Sequence, residues 1–573
     1  MLPHMKHQDR IHQTQTMTFA GINRNPAAGD GTIRNTVNMD TDRAPHLSPR
    51  KPRQKLAPMP MDGNVRAYGM TVVNDDVFWA AKDGNAVKLY RNGTAIRTGL
   101  TETQKSFAVL NGFLIIYPDK KMLNLAELDT RMIFADDEYM DAVAESVRVI
   151  FRNGTYNGQP AEGNTIELQG THDWAEYRFK VGDAVRISGS DEAKNNDTKI
   201  IREIEGKELR FYEFSFDNTP PPETTQNHDN DAPPIPETVS LRRYVPEMDR
   251  IFEHENRLWG WKGRTVYCSK LGDPVNFEVF DGLSTDSWTL EVKGQGEITG
   301  GVSYLGYPMF FKEDAVYRIY GDRPTQYSLM NMGTMGVRRG CADSPAIAGE
   351  HLFYLSNQGV TVFTGGYPQN IHAPFGETRF TEGRACSDGL KYYLCAKDAE
   401  TGAWNVYVYD TRWDMWYNFA ESECLAMAAS QRLYGLGFVG GEWCLWTDGK
   451  EEKPAWATLT EDEGSVASKV EFNPFTGANW TNGRSTGNPN RKGTSKLLLR
   501  LTLAQGTELT VSMNFDGGPW EKKAVLNAPH HMHSPTLAII PRRSDNYQIE
   551  IIANGDWTLH SLTREEYSGS SIH

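Results

Sequence analysis

The chain has 573 residues, 39% of them hydrophobic and 11% aromatic, and a formal net charge of −14. That length exceeds what one small core needs and predicts three or four structural units. The acidic balance argues against a surface that grips nucleic acid through its phosphates, which needs clustered Lys and Arg, and no apolar run approaches the roughly 18 residues of a membrane span.

The opening residues Met1 to His7 lack the apolar core of a secretion signal. The six cysteines, Cys268, Cys341, Cys386, Cys395, Cys424 and Cys444, never fall in a C-x-x-C spacing. They read as reduced, buried small hydrophobes of a chain made in the cytosol. Residues 1–60 are poor in apolar side chains and rich in proline, so they predict an extended N-terminal arm lying on another surface. Its basic cluster Arg50, Lys51, Arg53 and Lys55 reads as a stretch that pairs with acidic neighbours rather than with nucleic acid.

From residue 61 the pattern becomes a series of hairpins. Residues 77–81 and 87–91 flank Asp83-Gly84-Asn85, and residues 106–110 and 113–117 flank Asn111-Gly112. Asn-Gly between alternating apolar runs is a strong hairpin signal. This first part of a β-propeller, residues 61–125, gives way to an insertion at 126–246. Short runs at 147–151, 165–168, 184–187, 199–202 and 209–212 there predict a small β-barrel, followed by a proline-rich loop from Thr219 to Pro236.

The propeller resumes over 247–460. Residues 249–370 hold three successive segments of one design, each a set of β-branched and aromatic runs cut by Gly, Asn or Asp turns. Their spacing of about 35 to 45 residues is that of a four-stranded blade, and six or seven blades are expected in all. Residues 461–573 predict a terminal β-sandwich, with long strands at 496–503 and 508–515, then 537–540 and 547–552.

The candidates for chemistry are sparse. Asp281, Asp286 and Glu291 lie close in sequence and suggest a carboxylate pair, but charged turns on blade loops are the commoner explanation. Ser356-Asn357-Gln358-Gly359 lacks the acid of a sialidase-type aspartate box. His530, His531 and His533 form the one dense histidine group, which without a further ligand reads as a surface loop rather than a metal site. Lys293-Gly294-Gln295-Gly296 precedes a strand, not a helix, so it is no phosphate loop, and no Gly-x-Ser-x-Gly or His-Glu-x-x-His motif occurs. No catalytic, cofactor-binding or metal-binding residue is therefore expected, and the chain is expected not to be an enzyme. The alternative is a propeller that binds or cleaves host-surface glycans.

Three phrases resemble the tail nozzle, or tail hub, proteins of short-tailed bacteriophages, including the tail tubular B-type and DNA stabilisation proteins. The first runs from Arg257-Leu258-Trp259 through Tyr267-Cys268-Ser269-Lys270-Leu271-Gly272-Asp273-Pro274 to Asn276-Phe277. The second runs from Phe353-Tyr354-Leu355-Ser356 through Gly359-Val360 to Gly365-Gly366-Tyr367-Pro368-Gln369-Asn370-Ile371. The third is Pro541-Arg542-Arg543-Ser544-Asp545 with Tyr547, then Gly555-Asp556-Trp557 and Ser561 through Ser568-Gly569-Ser570. The resemblance implies a virion protein of the phage tail, assembled in the host cytoplasm. It implies a ring, six copies being expected, that continues the DNA-ejection channel below portal and adaptor. The same ring would anchor tail fibres or spikes and pass double-stranded DNA without sequence-specific binding. An acidic, non-adhesive wall suits such a conduit.

Overall fold

The computed structural model describes residues 11–25, 28–60, 65–129, 131–153, 155–156, 159–160, 164–212, 215–219, 234–476, 479–481, 484–486, 491–540 and 542–568. The chain is all-β, its strands interrupted only by 3-10 turns of three or four residues among the described residues. Among the described residues no helix is long and apolar enough to cross a membrane.

Seven antiparallel sheets follow one another along the chain. The first comprises Ala67–Val73, Asp76–Asp83, Ala86–Arg91 and Thr94–Leu100, and the second Ser106–Leu110, Phe113–Tyr117 and Lys121–Asn124. The third comprises Arg250–His254, Arg257–Lys262, Thr265–Cys268 and Trp288–Glu291. The fourth comprises Gly300–Tyr304, Tyr307–Lys312, Ala315–Tyr320 and Ser328–Gly333. The fifth is Ala346–Ala348, His351–Ser356, Gly359–Phe363 and Gln369–Asn370, and the sixth Phe380–Ser387, Lys391–Asp398, Trp404–Asp410 and Met415–Ala420. The seventh takes Cys424–Ala429, Leu433–Val439 and Glu442–Thr447 from late in the chain and closes with Gln54–Pro58 from its beginning. Opening strands of neighbouring sheets pack on one another from the first sheet to the fourth and from the fifth to the seventh, and the seventh packs on the first; Phe311 and Tyr354 link the fourth and fifth.

Local chemistry explains the hairpins. Asn92, Asn111 and Asn74 take positive φ at turn positions that most side chains avoid. Large rings fill the space between neighbouring sheets: Phe252 against Phe310 at 5.5 Å, Phe311 against Tyr354 at 5.1 Å and Phe353 against Tyr392 at 5.3 Å. Each such pair contributes about 0.5–1.5 kcal/mol beyond simple burial. Where sheets approach most closely a glycine is required; a Cβ on Gly301 would meet the Trp261 ring at 2.7 Å.

Between the second and third sheets lies a closed six-stranded barrel: Ala142–Arg152, Thr165–Leu168, Glu208–Phe211, Thr198–Glu205, Ala184–Ser188 and Glu237–Arg243 in order around it. The last of these returns to pair with the first. Its core, including Trp174, Phe151, Phe211 and Phe216, is its own. At its base Arg243 and Asp183, both almost fully buried, form an ion pair of 2.7 Å. Asn276, on the loop after the third strand of the third sheet, accepts from the Ala184 N–H at 2.8 Å and donates to Gly182 O. Residues 220–233 of the proline-rich loop lie outside the described residues.

The C-terminal region forms two sheets with a common core. One is Ile33–Val37, Ala467–Phe472, Tyr547–Asn554, Glu508–Phe515 and Glu521–Leu526. The other is built on Lys492–Leu503, flanked by Trp557–Ser568 and by His530–His533, Thr536–Ala538 and Arg543–Ser544. Ile11–Thr16 pairs with Trp557–Ser568. The N-terminal arm therefore does more than lie on a surface: it supplies strands to both C-terminal sheets and to the seventh sheet of the cycle. Strands so far apart in sequence find each other because each leaves an apolar row and unpaired backbone groups that the other covers.

Candidate functional site

The opening strands of the cycle surround a central cavity of about 230 Å³. Every one of the seven sheets, or the segment leading into it, contributes, among them Met70, Lys105, Arg250, Gly301, Asp343, Arg384 and Met427. A neighbouring cleft of about 250 Å³ shares Gln104, Arg250, Asp343 and Arg384 and adds Glu382 and Trp404.

The charges of this region are mutually engaged. Arg250 donates to both oxygens of Asp343, at 3.0 and 3.3 Å, and to Asp249 O. Arg384 pairs with Glu423 at 3.1 Å and lies 4.7 Å over the ring of the partly buried Trp404. Glu382, which is exposed, accepts from Lys397 at 2.8 Å. Lys105 is fully buried and meets Asp119 at 2.5 Å; burial lowers its pKa, against the opposite pull of Asp119. Two acids, two guanidinium groups and an indole thus line one opening. That set of polar and aromatic groups is of the kind that bonds sugar hydroxyls and packs on a sugar ring.

The residues that the sequence singles out lie elsewhere. Asp286 is buried and accepts from the backbone N–H groups of Gly282 and Leu283, and Glu291 pairs with Arg264 at 2.8 Å. These are turn and surface roles, not an acid pair. Ser356 Oγ accepts from Gln358 N and from Thr361 Oγ1, closing its hairpin. Gly294 and Gly296 sit in an exposed loop before Gly300–Tyr304. His530 and His533 face each other at 5.0 Å, yet no group of three or more metal-ligating side chains occurs among the described residues. The six cysteines are buried and free, and burial pushes Cys268 and Cys341 up to about 12. Arg250, Asp343, Glu382, Arg384 and Trp404 escaped the sequence reading because they come from three different sheets or the segments leading into them, Arg250 and Asp343 being 93 residues apart, with no local motif.

The basic cluster is spent on internal joins. Arg50 forms a bidentate pair with Glu463 at 2.6 and 2.8 Å, Arg53 lies 4.2 Å over the Trp446 ring, and Lys55 meets Glu442 at 2.5 Å. Only Lys51 of the four is exposed.

No family model matches the chain, and no curated protein matches it. Among solved structures it is similar to a Trypanosoma rangeli sialidase in complex with the inhibitor DANA, at 8% identity over 90% of this chain and 95% of that one, with a TM-score of 0.23. It is also similar to the phage phi92 endosialidase, at 11% identity over 91% of this chain and 69% of that one, with a TM-score of 0.20. A third is an exo-beta-1,3-galactanase from Phanerochaete chrysosporium, at 11% identity over 54% of this chain and 92% of that one, with a TM-score of 0.18. All three are named as enzymes, and the expectation that the chain is not an enzyme is withdrawn. At such scores they carry no activity over to it.

Proposed function

We propose that the seven sheets are the blades of a β-propeller and that the chain is a structural component of a short-tailed phage's tail. In this reading it forms the nozzle or hub ring that continues the DNA-ejection channel below portal and adaptor and anchors fibres or spikes. One observation carries the reading: residues of the tail-nozzle-like phrases make the joins between units. From the first phrase, Asn276 bonds the barrel base at Gly182 and Ala184. From the third, Trp557 donates to Ser468 Oγ at 2.9 Å and Asp556 takes both nitrogens of Arg43 at 2.8 Å. The second phrase acts inside one sheet instead: Gly359 lets His372 pack beneath its hairpin, where a Cβ would come within 2.3 Å of the imidazole. Pro541, Gly569 and Ser570 of the third phrase lie outside the described residues. A bracket of fixed joins is what a ring subunit gripped on several sides requires.

The test is the size and symmetry of the purified full chain. Light scattering is expected to give about six times the 64.5 kDa chain mass, and negative-stain images six-fold rings. A monomer that stays monomeric with its portal-side and fibre partners present would overturn the reading.

A second reading is favoured by the cleft at Trp404, Arg384, Glu382, Asp343 and Gln104: a propeller that binds or cleaves host-surface glycans.

A further inference from the structure

Residues 39–50 form a strap between the cycle of sheets and the C-terminal sheets, and its two sides are held by different chemistry. Toward the cycle the bonds are ion pairs between permanent charges. Lys391 meets Asp40 at 2.5 Å and Asp42 at 2.6 Å, Lys450 meets Asp42 at 3.1 Å, and Thr41 Oγ1 donates to Asp410 at 2.7 Å. Burial opposes ionisation of Asp40, but the charges of Lys391 and Lys450 outweigh it and hold its carboxyl far below the usual carboxylate range.

Toward the C-terminal strand Trp557–Ser568 the strap is stapled residue by residue. Arg43 takes Asp556 and Thr558 Oγ1. Leu47 and Leu559 exchange both backbone hydrogen bonds, at 3.2 and 2.9 Å. Beside that bridge His46 and His560 pack edge to face with centroids 4.8 Å apart. His560 Nε2 is 2.8 Å from Thr502 Oγ1, and His46 Nδ1 is buried without a hydrogen-bond partner among the described residues. The charged and titratable groups around this pair are Arg43 on the strap, Arg500 on Lys492–Leu503 and His531 on His530–His533, with Asp556 already claimed by Arg43.

We propose that this histidine pair is a pH-sensitive latch: when both rings are protonated the Leu47–Leu559 bridge opens and frees this side of the strap, while the Asp40–Lys391 side stays bolted. Two imidazolium rings at 4.8 Å, with two guanidinium groups and a third histidine nearby, repel, and Asp556 is already held by Arg43. Burial first, then His46, Arg500, His531 and Arg43, hold His560 below its ordinary value. The docked strand therefore binds fewer protons than the undocked one. Docking is complete above the free-histidine value of about 6.5 and weakens as pH falls below it. The inference is independent of the tail reading, since it concerns one chain.

Hydrogen exchange of the full chain between about pH 7.5 and pH 5, corrected for the intrinsic pH dependence of exchange, reads the latch directly. Protection of the Leu47 and Leu559 amides is expected to fall at least several-fold over that range. The Thr41 amide, on the Asp40 side, is expected to stay constant. The double variant His46→Gln, His560→Gln keeps polar side chains without the charge and is expected to abolish the dependence. Leu47 and Leu559 protection that ignores pH in the unmodified chain overturns the proposal, as does a folded double variant with the dependence intact.

Discussion

The inserted barrel and the C-terminal sheets are both all-β appendages of one cycle of sheets, yet they are attached in opposite ways. The barrel keeps a private core and its own buried Arg243–Asp183 pair, and its base meets the cycle through the amide of Asn276 and the Arg186–Glu278 pair. The C-terminal sheets have no private core: Phe472, Ile549, Trp557 and Leu559 belong to the same apolar cluster as Tyr417, Phe419, Val439 and Trp446 of the sixth and seventh sheets. A polar joint fixes direction but shares little cooperativity, whereas a continuous core makes two units melt as one. The barrel is thus built to be positioned, and the C-terminal sheets to be part of the body.

The largest effect expected follows from the shared core. Leu559→Ala removes a fully buried side chain at the seam and should cost about 2–5 kcal/mol. Denaturant unfolding followed at several probes should still show one coincident transition for the cycle and the C-terminal sheets. A separate, earlier melt of the C-terminal sheets would break the comparison.

The base of the barrel should behave otherwise. Arg243→Met leaves Asp183 buried and unpaired, a loss of about 3 kcal/mol in such settings, but confined to the barrel. Proteolysis within residues 142–243 should speed up while the main transition stays put. Burial already holds the Asp183 carboxyl above the usual carboxylate range in spite of Arg243. In the variant a group whose folded pKa is raised favours the folded state only while protonated, so the defect should shrink as pH falls toward about 4 and grow above it. Replacing both partners, Arg243→Met with Asp183→Leu, should restore most of the loss.

This division also marks what the residues disclose by themselves. Hairpins were legible because they are local: Ser106–Leu110 and Phe113–Tyr117 sit where Asn111-Gly112 demands, and Thr165–Leu168 and Glu508–Phe515 fall where the apolar alternation puts them. Gln54–Pro58 and Ile33–Val37 were not legible as strands, since their partners Glu442–Thr447 and Ala467–Phe472 lie about four hundred residues away and nothing local names them. Trp557–Ser568 was hidden by its charged and polar residues, which the arm and Lys492–Leu503 cover from either side. The central opening was illegible for a related reason: Arg250, Asp343 and Arg384 become neighbours only when the sheets come round to meet.

The strap should show a smaller effect with a defined pH range. Asp40→Asn removes one of the two carboxylates that Lys391 faces and is expected to cost about 1–3 kcal/mol, measurable as a lower urea midpoint. Asp40 is a group with a depressed folded pKa. Its contribution is present above the unfolded value near 3.9 and is lost as pH falls from there toward the folded value. Between about pH 5 and 7 the unmodified chain should therefore hold this side of the strap unchanged, while the variant is weaker throughout that range.

The smallest change in stability is expected at the central opening, where it is also the most informative about function. Trp404 is partly buried at the mouth of the cleft and its ring carries Arg384 on one face. Trp404→Ala gives up the contacts of Arg384 and Lys397 with its ring and its packing on the edge of the core, about 1–2 kcal/mol, and touches neither the barrel base nor the strap. If the cleft takes glycans, oligosaccharide binding measured by calorimetry should vanish in this variant while the assembly state stays as it was. If the joins are what matter, ring formation should instead be sensitive to Leu559→Ala and indifferent to Trp404→Ala. Glycan binding that persists in Trp404→Ala would move any sugar site away from the cleft and leave the opening as a structural centre, its acids and guanidinium groups holding the sheets to one another.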